Sequence, residues 1–344
     1  MSLPDVIQDE EQLDDLLHSP SDSLVASQRA RSGRTIVIGA GGKMGRSLVG
    51  RLLRAIDAAG SSAEVVCVSR FGDESTERAL ASLGASTIRA DVLEPGDVDS
   101  LPDADRVVYM AGRKFGTTGS EPDTWALNAL APAAICRRFA GKPIVALSTG
   151  SVYDLTPVAS GGSVEESPTE PRGEYANGAV ARERILEWAS RRYECPICTI
   201  RLFYANDLRY GVLRDIADSV AAGNPVDVSM GSVNLIWQGD AVDQCLRAFD
   251  YATTPATPLN VTGPETISVR YLGERFGELL GKKPMFDGVE SSDALLGNAS
   301  RAAGLFGYPD VPLDTMIRWT AAWVAAGGRG LGKPTLWERR DGRY

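Results

Sequence analysis

From Arg34 onward the apolar positions follow two alternating rhythms. TIVIGA is a continuous run of mostly branched apolar residues, the pattern of a strand buried on both faces. Behind it Met44, Leu48, Val49, Leu52, Leu53 and Ile56 recur at helical spacing along one stripe. EVVCVSR, STIRAD, RVVYMAG, PIVALSTG and PICTIRLF repeat the strand pattern, with helical stretches between most of them. Short β-branched runs separated by helices pair in parallel through right-handed crossovers. The pattern therefore predicts an α/β fold, a doubly wound parallel sheet.

After Phe203 the rhythm becomes irregular. RDIADSVAAG reads as a helix, VNLIWQGDAVDQCLRAFDY as a strand running into a helix, and PLNVTG as a further short strand. SVRYLGERFGELLG is a helix that Ser268 caps and Gly281 stops, VPLDTMIRWTAAWVAAGG is another, and GKPTLWERRDGRY is a polar tail. Residues 1–33 stand apart: Leu13, Leu16 and Leu17 lie at helical spacing on an acidic strip. That suggests an arm packed on its own domain or a second subunit, or else a partner-binding tail. The expected organisation is an N-terminal extension over 1–33 and a dinucleotide-binding domain over 34–205, with a returning segment at about 232–262. A smaller C-terminal substrate lobe and tail would take 206–231 and 263–344.

Composition narrows the chemistry. The net charge of -9 argues against nucleic acid, which needs clustered Lys and Arg. No run of apolar residues is long enough to span a membrane, and the acidic N-terminus does not read as a secretory signal. Five cysteines, an odd number in a long chain, suit a reducing, cytoplasmic location. The only histidine, His18, falls in the acidic leader, which reads as mobile. Ser-His-Asp and multi-histidine zinc sites are thereby excluded, and no metal is expected. CPIC at 195–198 precedes a strand, so its cysteines read as core packing rather than a redox pair. Proton transfer is left to Tyr, Lys, Cys or a carboxylate.

Between the first strand and its helix lies GAGGKMG, with Gly39, Gly42 and Gly45. Glycine there permits the tight turn, lets the backbone approach a pyrophosphate and lets helix pack on strand, as in Rossmann-type dinucleotide sites. Lys43 and Met44 lie in the same loop. The second strand ends in Ser69 and Arg70 instead of the acid that would bind a free ribose 2′-hydroxyl. A hydroxyl and a guanidinium suit a 2′-phosphate, so NADP is modestly favoured over NAD. Asp91, followed by Val92, ends the third strand and is placed to accept from the adenine amino group.

GAGGKMG, VVYMAG, Asn128 in TWALNALAP, STGSVYD and Tyr175 together resemble the extended short-chain dehydrogenase/reductases, the NAD-dependent epimerase/dehydratase group. RLFYAND, NLIWQGDAV, NVTGPETISVRYLGE and NASRAAGLFGYPDVPLDTMIRW extend the resemblance from about Thr35 to Trp323. It implies that Ala111, Gly112, Asn128 and Phe203 also line the cofactor site. It implies further that Thr149 holds the reacting hydroxyl, and that Tyr175 moves the hydroxyl proton while a hydride passes to or from nicotinamide. The family's lysine, four residues after the tyrosine, holds the nicotinamide ribose and lowers the tyrosine pKa; Ala179 stands there instead. Arg182, seven residues past Tyr175 on the same helical face, reads either as a surface or structural ion-pair partner or as a replacement cation, a role open also to Arg113 and Lys114.

TPVASGGSVEESPTEPRGE, ahead of the tyrosine helix, reads either as a lid or as a solvated connection. Tyr204, Asn206 and Arg209, just past the sixth strand, are the substrate-side candidates. Asp240 in WQGDA either orients a substrate hydroxyl or caps the following helix. The expected protein is an NAD(P)-dependent oxidoreductase of epimerase/dehydratase type. Its partner would be a small carbohydrate-like molecule: a sugar, sugar acid or nucleotide sugar. A dinucleotide-binding sensor or scaffold that has lost the chemistry is the alternative raised by Ala179, and a third keeps an enzyme in which Lys114 or a carboxylate is the base. A homodimer through the helices beside the tyrosine is common in the family and stays open here.

Overall fold

The computed structural model describes residues 3–114 and 119–343. Two short helices, α1 (Glu10–His18) and α2 (Asp22–Arg29), come first. Then β1 (Arg34–Ile38), α3 (Gly45–Ala58), β2 (Glu64–Ser69), α4 (Glu74–Ser82), β3 (Ser86–Arg89), α5 (Pro95–Ser100) and β4 (Arg106–Tyr109) alternate. α6 (Glu121–Trp125) runs through a π-helical turn at Ala126–Leu130 into α7 (Ala131–Arg138), followed by β5 (Ile144–Thr149). The short β6 (Thr156–Pro157) precedes the long α8 (Gly173–Tyr193), and β7 (Ile197–Leu202) and β8 (Tyr204–Asn206) follow.

The remaining elements are α9 (Val212–Ala222), β9 (Pro225–Asp227), β10 (Ser232–Val233), β11 (Leu235–Trp237), α10 (Gln238–Arg247) and β12 (Thr257–Val261). Then come β13 (Ile267–Ser268), α11 (Val269–Leu280), β14 (Met285–Asp287), β15 (Asp293–Ala294), α12 (Ser300–Phe306) and α13 (Leu313–Ala325). Ser268 caps α11 through the Tyr271 amide and Gly281, with φ of 62°, ends it, as the sequence predicts.

Seven strands form one parallel sheet in the order β12-β7-β5-β4-β1-β2-β3. The order reverses between β1 and β4, where open α/β sheets bind ligands at their carboxyl ends. The branched runs predicted as strands are buried because helices cover both faces of the sheet. Of the segment expected to return to the sheet, only β12 joins it; β11 pairs with β8 in a separate ladder. The C-terminal lobe packs α9, α11 and α13 around the indoles of Trp237 and Trp319, which meet edge to face at 5.4 Å. Cys195 and Cys198 are buried free thiols in the core.

Two segments are more ordered than their polarity suggests. The connection from 156 to 172 is tied to the sheet edge: the Asn260 amide donates to Glu165 Oε1 at 2.9 Å, and Arg201 donates to the Glu165 carbonyl at 3.0 Å. It is neither a free lid nor a solvated linker. The acidic leader is likewise packed on its own domain, with Leu13, Leu17 and Leu24 buried. Arg51 of α3 holds it, donating to the carbonyls of Leu17 and Leu16 at 3.0 and 3.2 Å and pairing with Asp243 of α10 at 3.1 Å. Ser21, which caps α2, donates its hydroxyl to the same Asp243 at 2.7 Å. No charge pattern announces these partners, which lie far along the chain.

His18 is buried as well, its ring filling the space over Gly50, where a Cβ would lie 2.5 Å from the imidazole. Burial is the main cause that lowers its pKa from 6.5 to about 4, with Arg54, Arg46 and Arg51 adding to the shift and Asp14 opposing it. The unfolded chain therefore holds a proton between those values that the folded chain lacks. The stability that neutral His18 confers is complete above pH 6.5 and is lost as pH falls towards about 4. Burial raises Asp240 from 3.8 to about 6, which acts in the opposite sense over much of the same window. We expect urea unfolding of the wild type and His18→Asn to differ by an amount that shrinks by about 3 kcal/mol between pH 6.5 and pH 4. A pH-independent difference would show that His18 does not titrate with folding.

Candidate functional site

The crevice beside β1 exists because three positions lack a side chain. Gly39 has φ of 87°, and a Cβ there would lie 2.6 Å from the Ala111 nitrogen. On Gly45 it would lie 1.8 Å from the Ala40 carbonyl oxygen, so only glycine lets the start of α3 sit against β1. The loop closes on itself, Gly42 donating to Gly39 and Gly45 to Gly42 at 3.0 Å each. α3 begins at Met44 with no side-chain cap, which leaves its first amides for water or an anion. This cradle fits the diphosphate of a dinucleotide.

Gly39, Gly42, Ser69, Arg70, Asp91, Val92, Ala111 and Gly112 line one cleft. Gly41 and Leu127 line it too and were not anticipated. Gly41 carried a signal, since a Cβ there would meet the Ser69 hydroxyl at 2.6 Å; Leu127 arrives on the π-helical turn, which has no spacing signature. Asp91 accepts from the Leu93 amide at 3.0 Å, and its other oxygen lies 3.7 Å from the Arg70 guanidinium. Arg70, 71% exposed, is thus an ion-pair partner at the rim.

Lys43, Met44, Asn128 and Phe203 lie outside the lining of that cleft. The Lys43 ammonium sits 3.5 Å over the Tyr210 ring, and burial, with Lys114 and Lys333 nearby, lowers its pKa to about 8. Met44 packs against the core beneath α3. Phe203 is wedged between Gly150 and Gly297, where Cβ atoms would come within 2.3 and 2.4 Å of its ring. Asn128 is fully buried, its amide oxygen accepting from Arg182.

Around the first turn of α8 the catalytic candidates do meet. Thr149, the last residue of β5, lies beside the Tyr175 phenol. Burial raises the Tyr175 pKa, and the Thr149 hydroxyl and the Arg182 charge each counter the rise. Gly178 turns a small face to Asn128, a Cβ there lying 3.1 Å from its amide nitrogen. α8 can therefore pack closely on the π-helical turn. Arg182 then reaches up between elements, donating to the Leu147 carbonyl at 2.7 Å and to Asn128. A Cβ on Gly112 would lie 2.4 Å from its guanidinium, so the cation abuts the cofactor cleft.

The substrate-side candidates separate. The Tyr204 hydroxyl donates to the Trp337 carbonyl at 3.4 Å. Arg209 pairs with Asp207 at 3.2 Å and Asp14 at 2.9 Å, and still lines a cavity of about 430 Å³ with Arg214, Asp215, Val226, Lys333 and Trp337. Asn206 is a correction: its oxygen accepts from the Leu213 amide at 3.1 Å and its nitrogen donates to the Tyr204 carbonyl at 2.8 Å, so it shapes the start of α9. Asp240 is another. It is buried, accepts from the Val311 amide at 3.0 Å and faces the charge of Arg51, which places it on the structural side of α10.

Comparison with known proteins agrees with this architecture. The profile of the NAD dependent epimerase/dehydratase family matches residues 35–211. No curated protein sequence matches the chain. Among solved structures, UDP-glucuronic acid 4-epimerase from Bacillus cereus in complex with NAD superposes with a TM-score of 0.69 at 17% identity, over 85% of this chain and 99% of its own. UDP-glucose 4-epimerase from Thermotoga maritima with UDP-glucose gives 0.68 at 16% identity, over 86% and 99%. The dTDP-glucose 4,6-dehydratase DesIV from Streptomyces venezuelae, with NAD and TYD bound, gives 0.70 at 16% identity, over 85% and 97%. At these identities the likeness shows the fold.

The cradle makes a direct prediction. Gly39→Ala forces a Cβ into left-handed backbone against Ala111 and should weaken NAD binding by at least about tenfold in calorimetry. Gly304→Ala, where a Cβ meets nothing within 4 Å, should leave it unchanged. Equal affinity in both variants would remove the glycine loop from the cofactor site.

Proposed function

The chain belongs to the NAD-dependent epimerase/dehydratase family, and on that premise we propose that it is an NAD(P)-dependent oxidoreductase acting on a hydroxyl or keto group of a sugar, sugar acid or nucleotide sugar. The observation that carries this reading is the meeting of Thr149, Tyr175 and Arg182 beside the glycine cleft. The cation absent at position 179 is supplied from Arg182, further along the same helix.

A nicotinamide held by that cleft supplies a reversible hydride acceptor for a carbinol carbon. The protein's own groups manage the proton. Burial keeps the Tyr175 phenol protonated at neutral pH, so it is set to donate to a carbonyl oxygen during reduction and to recover the proton during oxidation. The Thr149 hydroxyl orients the same oxygen by hydrogen bonding alongside the phenol. Arg182 acts through Tyr175 as a positioning and electrostatic residue, since its charge stabilises the phenolate that forms when the proton leaves.

For the substrate we favour a nucleotide sugar. The three solved neighbours are named for nucleotide sugars, and the cavity beside α9 combines apolar walls at Ile216 and Val226 with Arg209 and Arg214. For the cofactor we put NAD ahead of NADP: those of B. cereus and S. venezuelae are NAD complexes, and the Arg70 guanidinium is engaged with Asp91. A cofactor-binding protein without turnover is the second reading, favoured by the fully buried Ala179 in the lysine's place.

Incubation with NAD or NADP and UDP-glucose, UDP-glucuronic acid or dTDP-glucose, followed by nicotinamide absorbance and product analysis, tests both readings. We expect turnover that falls by about 10²–10⁴-fold in Tyr175→Phe with cofactor affinity retained. Arg182→Met should lower kcat with little change in KM, and Arg182→Lys should restore part of the loss and displace the pH profile. Full activity in Tyr175→Phe would overturn the mechanism. Tight NAD binding with no turnover of any sugar would transfer support to the second reading.

A further inference from the structure

Past α13 the chain carries Gly327, Gly328, Gly330 and Gly332 in quick succession, and then turns back over the molecule instead of trailing away. The Leu331 amide donates to the Arg209 carbonyl at 2.9 Å. Thr335 donates its amide and its hydroxyl to the same oxygen of Asp215, at 2.8 and 2.6 Å. Two donors then close on the segment's main chain: the Lys114 ammonium on the Thr335 carbonyl at 3.3 Å, and the Tyr204 hydroxyl on the Trp337 carbonyl at 3.4 Å. The Trp337 indole is buried, 5% exposed. Arg340 pairs with Asp293 at 2.6 Å, and Arg172 donates to the Arg340 carbonyl at 3.4 Å. Gly342 finally packs against Arg172 and Gly173, where α8 begins, two residues ahead of Tyr175.

Residues 333–343 thus span from the lobe, through Asp215 and Asp293, to the cofactor-binding half, through Lys114 and the start of α8. We propose that this strap is a built-in competitor that shuts the substrate cleft, and that a nucleotide sugar reaches Tyr175 only when the strap swings out about its glycine-rich hinge. The identity of the displaced ligand rests on the function proposed above; the closure does not. The strap carbonyls accept from Lys114 and Tyr204, donors of a kind that also suits sugar or phosphate oxygens. With the strap in place, burial raises the Asp215 pKa and lowers that of Lys114 to about 8. Leu336 is held at φ of 55°, a strained left-handed geometry for a branched residue that persists only while its surroundings enforce it. Release therefore recovers backbone strain as well as the freedom of a chain tethered by glycine.

Two forms test the strap: a chain ending at Gly332, and the full chain carrying Thr335→Val and Arg340→Ala, which keeps the segment if the truncation fails to fold. Folding is checked by circular dichroism and NAD affinity. Acetylation of Lys114 by an N-hydroxysuccinimide ester, followed by mass spectrometry, should be at least about tenfold faster in both forms than in the wild type. Binding of UDP-glucose to the NAD-loaded protein should tighten by about tenfold or more in calorimetry. Lys114 labelling that does not change would overturn the closure. Weaker UDP-glucose binding in the loosened forms would overturn the competitor role, making the strap a wall of the site. Faster Lys114 labelling with no binding of UDP-glucose, UDP-glucuronic acid or dTDP-glucose to any form would support the strap while removing the nucleotide-sugar reading.

Discussion

The Ala40 carbonyl and the missing side chain of Gly45 set the geometry on which the molecule is assembled. Their approach seats the N-terminal turn of α3 directly on β1, and α3 then serves as the backbone of one whole face. Its middle turn places Arg51 where it can hold the carbonyls of the N-terminal arm and pair with Asp243 of α10. A buried ion pair gains little by itself over an apolar contact, because both charges lose water. Here it has further partners in Ser21 and in Arg247 at 3.7 Å, which fixes the arm, α3 and α10 in one arrangement. A side chain at Gly45 would disturb all of them through the helix axis.

The same close packing explains how a site can lose its usual cation and keep a positive charge. Gly178 lets α8 meet Asn128 on the π-helical turn closely, while the neighbouring Ala179 is fully buried in the core that holds Val152 and Phe203. From one helical turn beyond, the guanidinium of Arg182 passes behind that contact and arrives at Asn128 and Gly112. Arginine is suited to the longer reach and stays charged when buried, whereas a buried lysine tends to lose its proton. Tyr175 accordingly feels a cation whose Cα lies seven residues away in the chain rather than four.

Both ends of the chain pack back on its body. The solved neighbours match nearly their whole length on 85–86% of this chain. The arm closes over α3 and α10, and the strap closes over the lobe and the start of α8. Each end brings few long apolar runs and relies on a small number of buried anchors, Leu13, Leu17 and Leu24 in one case and Thr335 and Trp337 in the other. Anchors of that kind leave the intervening polar residues in water, so a segment can be bound tightly and still look disordered in composition.

What the sequence by itself determined is the layered α/β architecture and the dinucleotide cradle. Apolar rhythm reports burial within a few residues of chain, and the turns at Gly39 and Gly45 demand glycine for reasons local to the loop. Ser69 and Asp91 were singled out by the ends of their strands, whereas the roles expected of Thr149 and Tyr175 came with the family resemblance. Tertiary structure alone decided that Arg182 meets Asn128, that Asn206 and Asp240 serve the scaffold, that His18 is buried, and that a polar tail packs on Asp215, Asp293 and the start of α8. Each of those outcomes depends on how far a side chain reaches and on which distant backbone group it finds there. Such pairings are set only when the whole chain has packed, and periodicity along the sequence holds no record of them.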